Sequence, residues 1–129
     1  MSSIIKIAVD AMGGDNSPNK IIDGIVHHHT SNQSTFYKIF GDEDKISKLL
    51  NNKISKNNYE IVNTLNKVSS EDSPLEAAKR GKDTSMWLAI DSVKKKDCDI
   101  VISAGNTGAL LVISKLNLKM INNIDKPAL

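Results

Sequence analysis

Two short segments of this chain combine residue types that could hold an anion. Asp10-Ala11-Met12-Gly13-Gly14-Asp15 sets adjacent glycines between acidic residues; the glycines let a backbone turn sharply and present its N–H groups, and Asp10 and Asp15 could orient a polar group or a cation. Ser103-Ala104-Gly105-Asn106-Thr107-Gly108 is built in a similar way, from small residues that let a ligand approach the main chain. Its Ser103, Asn106 and Thr107 add hydroxyl and amide groups suited to phosphate oxygens, or to the oxygen of a carbonyl under attack.

Each segment follows an apolar run of strand length, so both are placed by the elements around them. Ile4 to Val9 predicts a first strand, and Pro18 then opens a helix with Ile21, Ile22, Ile25 and Val26 at helical spacing. Phe36 to Phe40 predicts a second strand, Asp42 a cap for a helix bearing Ile46, Leu49 and Leu50, and Tyr59 to Val62 a weaker third strand. Polar residues from Asn63 to Ser73 predict a loop. Pro74 opens a helix over Leu75 to Arg80, Gly81 interrupts it, and Asp83 can cap another with Met86, Ala89, Ile90 and Val93 on one face and Lys94, Lys95 and Lys96 at its end. A last strand, Asp99 to Ser103, leads into a helix from Thr107 to Ile121 that is apolar around most of its circumference, which predicts burial between a sheet and another layer.

Strands alternating with helices predict an α/β fold with a mainly parallel sheet between two helical layers, an α/β/α sandwich. The carboxyl ends of parallel strands share one rim. On that expectation the turns after Val9 and after Ile102 open on the same side of the sheet and together suggest a site that handles phosphate.

Composition narrows the function classes. The 129 residues are 40% hydrophobic and 25% charged, which suits one globular domain. A formal net charge of +2 with only 4% aromatic residues gives little to attract or stack nucleic acid. A single cysteine, Cys98, rules out an internal disulfide framework and fits a reducing compartment, so cytoplasm is the expected location. The N-terminus lacks the pattern of a signal peptide, and the apolar stretch from Ala109 to Ile113 is too short to span a bilayer.

Several eye-catching residues have plainer readings. Asp10 or Asp15 taken singly reads as turn chemistry, and the second glycine segment reads as a helix cap with tight strand–helix packing. Three consecutive helical side chains cannot converge on one ion, so His27-His28-His29 reads as a helix end rather than a metal cluster. Cys98 reads as a small packed hydrophobe and Trp87 as core or interface. No metal site and no cofactor are expected.

Lys6 to Pro18 (KIAVDAMGGDNSP) and Ile102 to Leu111 (ISAGNTGALL) resemble the two N-terminal signatures of the phosphate acyltransferase family. The resemblance extends through Ser73-Pro74-Leu75, the Arg80 to Met86 stretch and the closing Ile124 to Leu129, nearly the whole chain. It implies an enzyme that transfers a fatty acyl group from acyl carrier protein to inorganic phosphate, giving acyl phosphate for phospholipid synthesis. It also implies a fold similar to isocitrate and isopropylmalate dehydrogenases, a homodimer, and a cytoplasmic protein associated peripherally with the inner face of the membrane. By motif, Asp10, Gly13, Gly14 and Asp15 would form one wall of the cleft and Ser103, Gly105, Asn106, Thr107 and Gly108 the other, with Lys82, Asp83 and Ser85 as weaker candidates. Asn106 would contact the anion or oxyanion, and Asp10 or Asp15 would orient a partner. Phosphate is itself the nucleophile, so no covalent enzyme intermediate and no general base are required.

Gly81 stands where the family's pattern has a basic residue, which thins any positive patch there. The family's proteins are also longer, so residues 1–129 are expected to be the N-terminal part of an α/β domain, with an open sheet edge and an apolar last helix. Competing readings are a phosphotransacetylase-like enzyme using small acyl-CoA and an inactive phosphate-binding fragment. A dehydrogenase would need a dinucleotide fingerprint that the sequence lacks.

Overall fold

The computed structural model describes residues 3–127. Its strands are β1 (Ile5–Asp10), β2 (Thr35–Gly41), β3 (Tyr59–Asn63) and β4 (Ile100–Ser103), within a residue or so of the apolar runs that predict them. All are parallel, in the order β3-β2-β1-β4. The chain therefore builds outward from β1 to β3 and then returns to lay β4 on β1's other side. In parallel sheets such a reversal leaves a crevice between the diverging connections at the strands' carboxyl ends. Here that crevice lies between the turns after β1 and β4.

Helices cover both faces, as right-handed crossovers require. On one face lie α1 (Asn19–Ser31) and α2 (Glu43–Leu50), whose Ile22, Ile25, Ile46 and Leu50 pack on Ile7, Val9, Tyr37 and Ile39. His28 on α1 also reaches the sheet, with its Nδ1 2.6 Å from the Tyr37 hydroxyl. On the other face α4 (Ser85–Lys94) packs Ala89 against Ala8, Phe40 and Cys98. Beside it α3 (Pro74–Lys79) and α5 (Thr107–Leu118) enclose a second cluster of Val68, Ala77, Met86, Ile90, Ala109 and Ile113. Cys98, 4% exposed, is the packed hydrophobe the sequence predicts. The register sets Asp10 directly opposite Ser103.

Local signals explain most helix starts. Asp42 caps α2 by accepting from Lys45 N–H, and Ser73 with Glu76 forms a reciprocal capping box ahead of Pro74 at the start of α3. Three expectations need correction. Thr84, not Asp83, caps α4: its Oγ1 accepts from Trp87 N–H at 3.2 Å, while the Asp83 carboxyl is drawn away to Asn66 Nδ2 at 2.6 Å. The last helix ends at Leu118 rather than Ile121, because Lys119 turns to a left-handed φ of 64° and Ile121, 80% exposed, has no packing surface to extend the helix onto. Burial of that helix is also one-sided. Ala109 and Ile113 are fully covered, but Leu116 and Leu118 face outward.

At the open side of β4, Ile100 and Ile102 are about half exposed, 46% and 49%. In the middle of β2, Ile39 is 0% exposed. Ile39→Ala is expected to lower unfolding stability by about 2–5 kcal/mol in urea titration, the usual range for emptying a buried aliphatic site.

Candidate functional site

At the end of β1 the carboxyl group of Asp10, 1% exposed, is satisfied entirely from within. Ser85 Oγ donates to its Oδ1 at 2.6 Å, Met12 N–H to the same oxygen at 3.2 Å, and Ser103 Oγ to its Oδ2 at 2.7 Å. Ser103 Oγ in turn accepts from Gly105 N–H at 3.1 Å. One side chain thus ties the start of α4 and the end of β4 to the turn after β1. Asp10 and Ser85 lie behind the cleft rather than on its wall, so neither presents a free polar atom to a ligand.

The two glycine turns meet backbone to backbone. A Cβ on Gly13 would stand 2.6 Å from Asp10 Oδ2 and 3.0 Å from the Gly105 Cα; one on Gly14, whose φ is 90°, would stand 2.5 Å from the Ala104 carbonyl oxygen. Glycine is therefore needed on the β1 side for contact as well as for conformation. The two sequence-distant segments form one structure.

In front of this contact lies an open cleft of about 670 Å³. Gly14 and Asp15 line it from the first turn, and Gly105, Asn106, Thr107 and Gly108 from the second. The helix α5 begins at its wall. The first intrahelical bond runs from Leu110 N–H to the Asn106 carbonyl, and Ala109 N–H is taken by Asn106 Oδ1 at 3.1 Å. The N–H groups of Thr107 and Gly108, ahead of that bond, have no acceptor among the described residues and lie at the positive end of the helix dipole, where an anion is stabilised.

Asn106 is bonded through both ends of its amide. Its Oδ1 caps α5, and its Nδ2 donates to the carbonyls of Asp72 at 2.6 Å and Ser69 at 3.2 Å. The amide that the sequence offers to an oxyanion is already used, and what it holds is the loop between β3 and α3. That loop supplies a third wall, with Lys67, Val68, Ser69 and Ser70. Sequence reasoning missed these residues, along with Asn16 and Ser17 of the first turn. Their only signal is polar composition in a segment without periodicity.

The loop is braced at its far end by Asp72, which accepts from Arg80 Nε and Nη2 and from Ser69 N–H. The guanidinium first, and then the backbone donor, hold the Asp72 carboxyl below the usual aspartate range. Lys82 stands outside the cleft, its Nζ 6.0 Å from the ring centroid of Trp87. Asp83 is likewise outside, bonded to Asn66 and, through its carbonyl, to the Thr64 hydroxyl.

Comparison with known proteins gives a consistent match. Residues 5–129 match the family described as fatty acid synthesis protein. A phosphate acyltransferase of Pelagibacter ubique (strain HTCC1062) is 71% identical over 129 residues, covering 100% of this chain and 38% of that protein. The phosphate acyltransferase of Afipia carboxidovorans is 40% identical over 131 residues, covering 100% and 37%, and that of Listeria monocytogenes serotype 4a is 42% identical over 125 residues, covering 97% and 36%. The chain spans less than two-fifths of the length of these relatives.

Two outcomes follow from the geometry. Gly13→Ala should cost about 1–3 kcal/mol in denaturant unfolding, since the added methyl meets the Asp10 carboxyl and the Gly105 backbone, neither of which can swing away; a variant as stable as the parent would refute the contact. The Asp72 brace should also depend on pH. Because its pKa is depressed in the folded state, its stabilisation is complete above the ordinary aspartate value of about 4 and fades as pH falls through the lower folded value. Hydrogen exchange at Ser69 N–H should accelerate in that acid range beyond what global unfolding explains, and Asp72→Asn should remove the effect.

Proposed function

Because the chain belongs to the fatty acid synthesis protein family, we propose that its cleft is the phosphate side of an acyl-transfer site, working in a polypeptide of the relatives' length. The observation that carries this reading is the meeting of two glycine turns at the sheet's switch point, in front of the free N–H groups of Thr107 and Gly108. The relatives' name, phosphate acyltransferase, supplies the reaction class.

In the proposed reaction a phosphate oxygen attacks the carbonyl carbon of a fatty acyl thioester carried by acyl carrier protein. A C–O bond forms, the C–S bond breaks, and the products are acyl phosphate and the free carrier thiol. Phosphate at neutral pH brings its own negative charge, so the protein's task is placement and stabilisation of the developing oxyanion. Backbone N–H groups fixed at a helix terminus suit both. Asp15 and Gly14 shape the opposite wall, while Asp10, Ser103 and Asn106 position the walls without touching the reacting atoms.

Acyl carrier protein as donor, inorganic phosphate as acceptor, a homodimeric assembly, a cytoplasmic location and peripheral contact with the inner membrane face complete the proposal. No helix among the described residues is long and apolar enough to cross a membrane.

Thr107→Pro tests the central contact. Proline fits the first position of a helix, and the ψ of 113° at Asn106 before it lies clear of the α region that a following proline disfavours, yet the substitution deletes one N–H from the cleft. In a polypeptide of the relatives' length, acyl phosphate release from acyl carrier protein thioester and phosphate should fall on the order of 100-fold, with helix content unchanged. Full activity in the variant would overturn the anion contact, and consumption of acyl-CoA but not of the carrier thioester by the parent would favour the phosphotransacetylase-like alternative.

A further inference from the structure

Among the described residues, Lys67 is the one cationic residue that lines the cleft, and Asp15, on the opposite wall, the one acidic residue. The other cations close in sequence are engaged elsewhere: Arg80 is held by both carboxyl oxygens of Asp72, and Lys82 lies over Trp87. Lys67 has no ion-pair partner within 4.0 Å among the described residues.

Its backbone is pinned on both sides. The preceding Asn66 carbonyl accepts from Ser85 N–H at 2.9 Å, and the Ser69 carbonyl accepts from Asn106 Nδ2 at 3.2 Å. Between them Val68, 6% exposed, inserts into the cluster with Met86, Ile90 and Ala109. The exposed lysine is therefore set at the mouth of the cleft by three independent attachments, two of which lead to the residues that frame the glycine turns. A thioester carries no charge, whereas inorganic phosphate carries between one and two negative charges at neutral pH. A lone unpaired cation on a cleft wall favours the charged of the two.

We infer that Lys67 is a specificity-determining residue for the acceptor, holding a phosphate anion against the N–H groups of Thr107 and Gly108. The inference rests on the anion-site reading above and adds the side chain that selects the anion by charge. Loop and helix then hold phosphate from two sides, and Asn106, bonded to both, sets their separation.

The test is a titration of a polypeptide of the relatives' length with inorganic phosphate, followed by the amide resonances of Thr107 and Gly108. In the parent these should shift saturably, with an affinity that weakens as salt is raised. Lys67→Met should bind phosphate about tenfold more weakly and with a flatter salt dependence, while Lys67→Arg should retain most of the affinity. The position is exposed, so unchanged thermal midpoints are expected for both variants. Equal affinity of parent and Lys67→Met would overturn the assignment of Lys67 alone; a parent chain whose amides do not respond to phosphate would overturn it together with the anion-site reading.

Discussion

The buried carboxyl group of Asp10 is the point on which the site depends. A carboxyl group withdrawn from water is costly unless its oxygens are matched by donors, and the donors here come from distant parts of the chain: Ser85 at the start of α4 and Ser103 at the end of β4. Satisfying Asp10 therefore fixes three elements at once. With β4 and α4 so anchored, Gly13 and Gly105 are brought into contact, and that contact defines the floor in front of which a ligand would sit. The chemistry offered to solvent, backbone N–H at the tip of α5, is exposed by an arrangement whose polar anchor is hidden behind it.

A second constraint acts through Asn106. Its amide both caps α5 and grips the loop after β3, so the wall bearing Lys67 is tied directly to the wall bearing Thr107. The Asp72–Arg80 pair then braces the loop against α3. Precise placement thus comes from side chains that touch each other, while the main-chain groups of Thr107 and Gly108 and the residues Lys67 and Asp15 line the cleft itself.

Much of this architecture is visible in the residues alone. The apolar runs fix the strands, and their alternation with helical patterns fixes a parallel sheet. Once the sheet is parallel, both glycine turns must lie on one rim. What periodicity cannot show is which polar side chains find one another across the fold. Asp83 and Thr84 are both capable caps, and the choice falls to Thr84 because Asn66 takes the Asp83 carboxyl. Asn106 has the composition of an anion donor, yet two carbonyls more than thirty residues upstream claim its hydrogens. The loop carrying Lys67 has no pattern of its own. Its shape is imposed by Ser85, Asn106 and Arg80, and it becomes legible only when they are in place. The apolar pattern runs past the end of α5 for a related reason, since apolar composition marks what a helix could bury and not what lies beside it.

The pairing of Asp10 with Ser103 across the β1–β4 ladder has a consequence for assembly of the sheet. Sliding either strand by a single residue turns every side chain to the opposite face, and a short apolar strand such as Ile100–Ser103 has little else in its composition to forbid the slip. In a shifted alignment the serine hydroxyl would point away and the acid would be entombed lacking one of its donors. The polar couple therefore serves as a checksum on strand alignment, penalising near-miss pairings that hydrophobic contacts alone would tolerate.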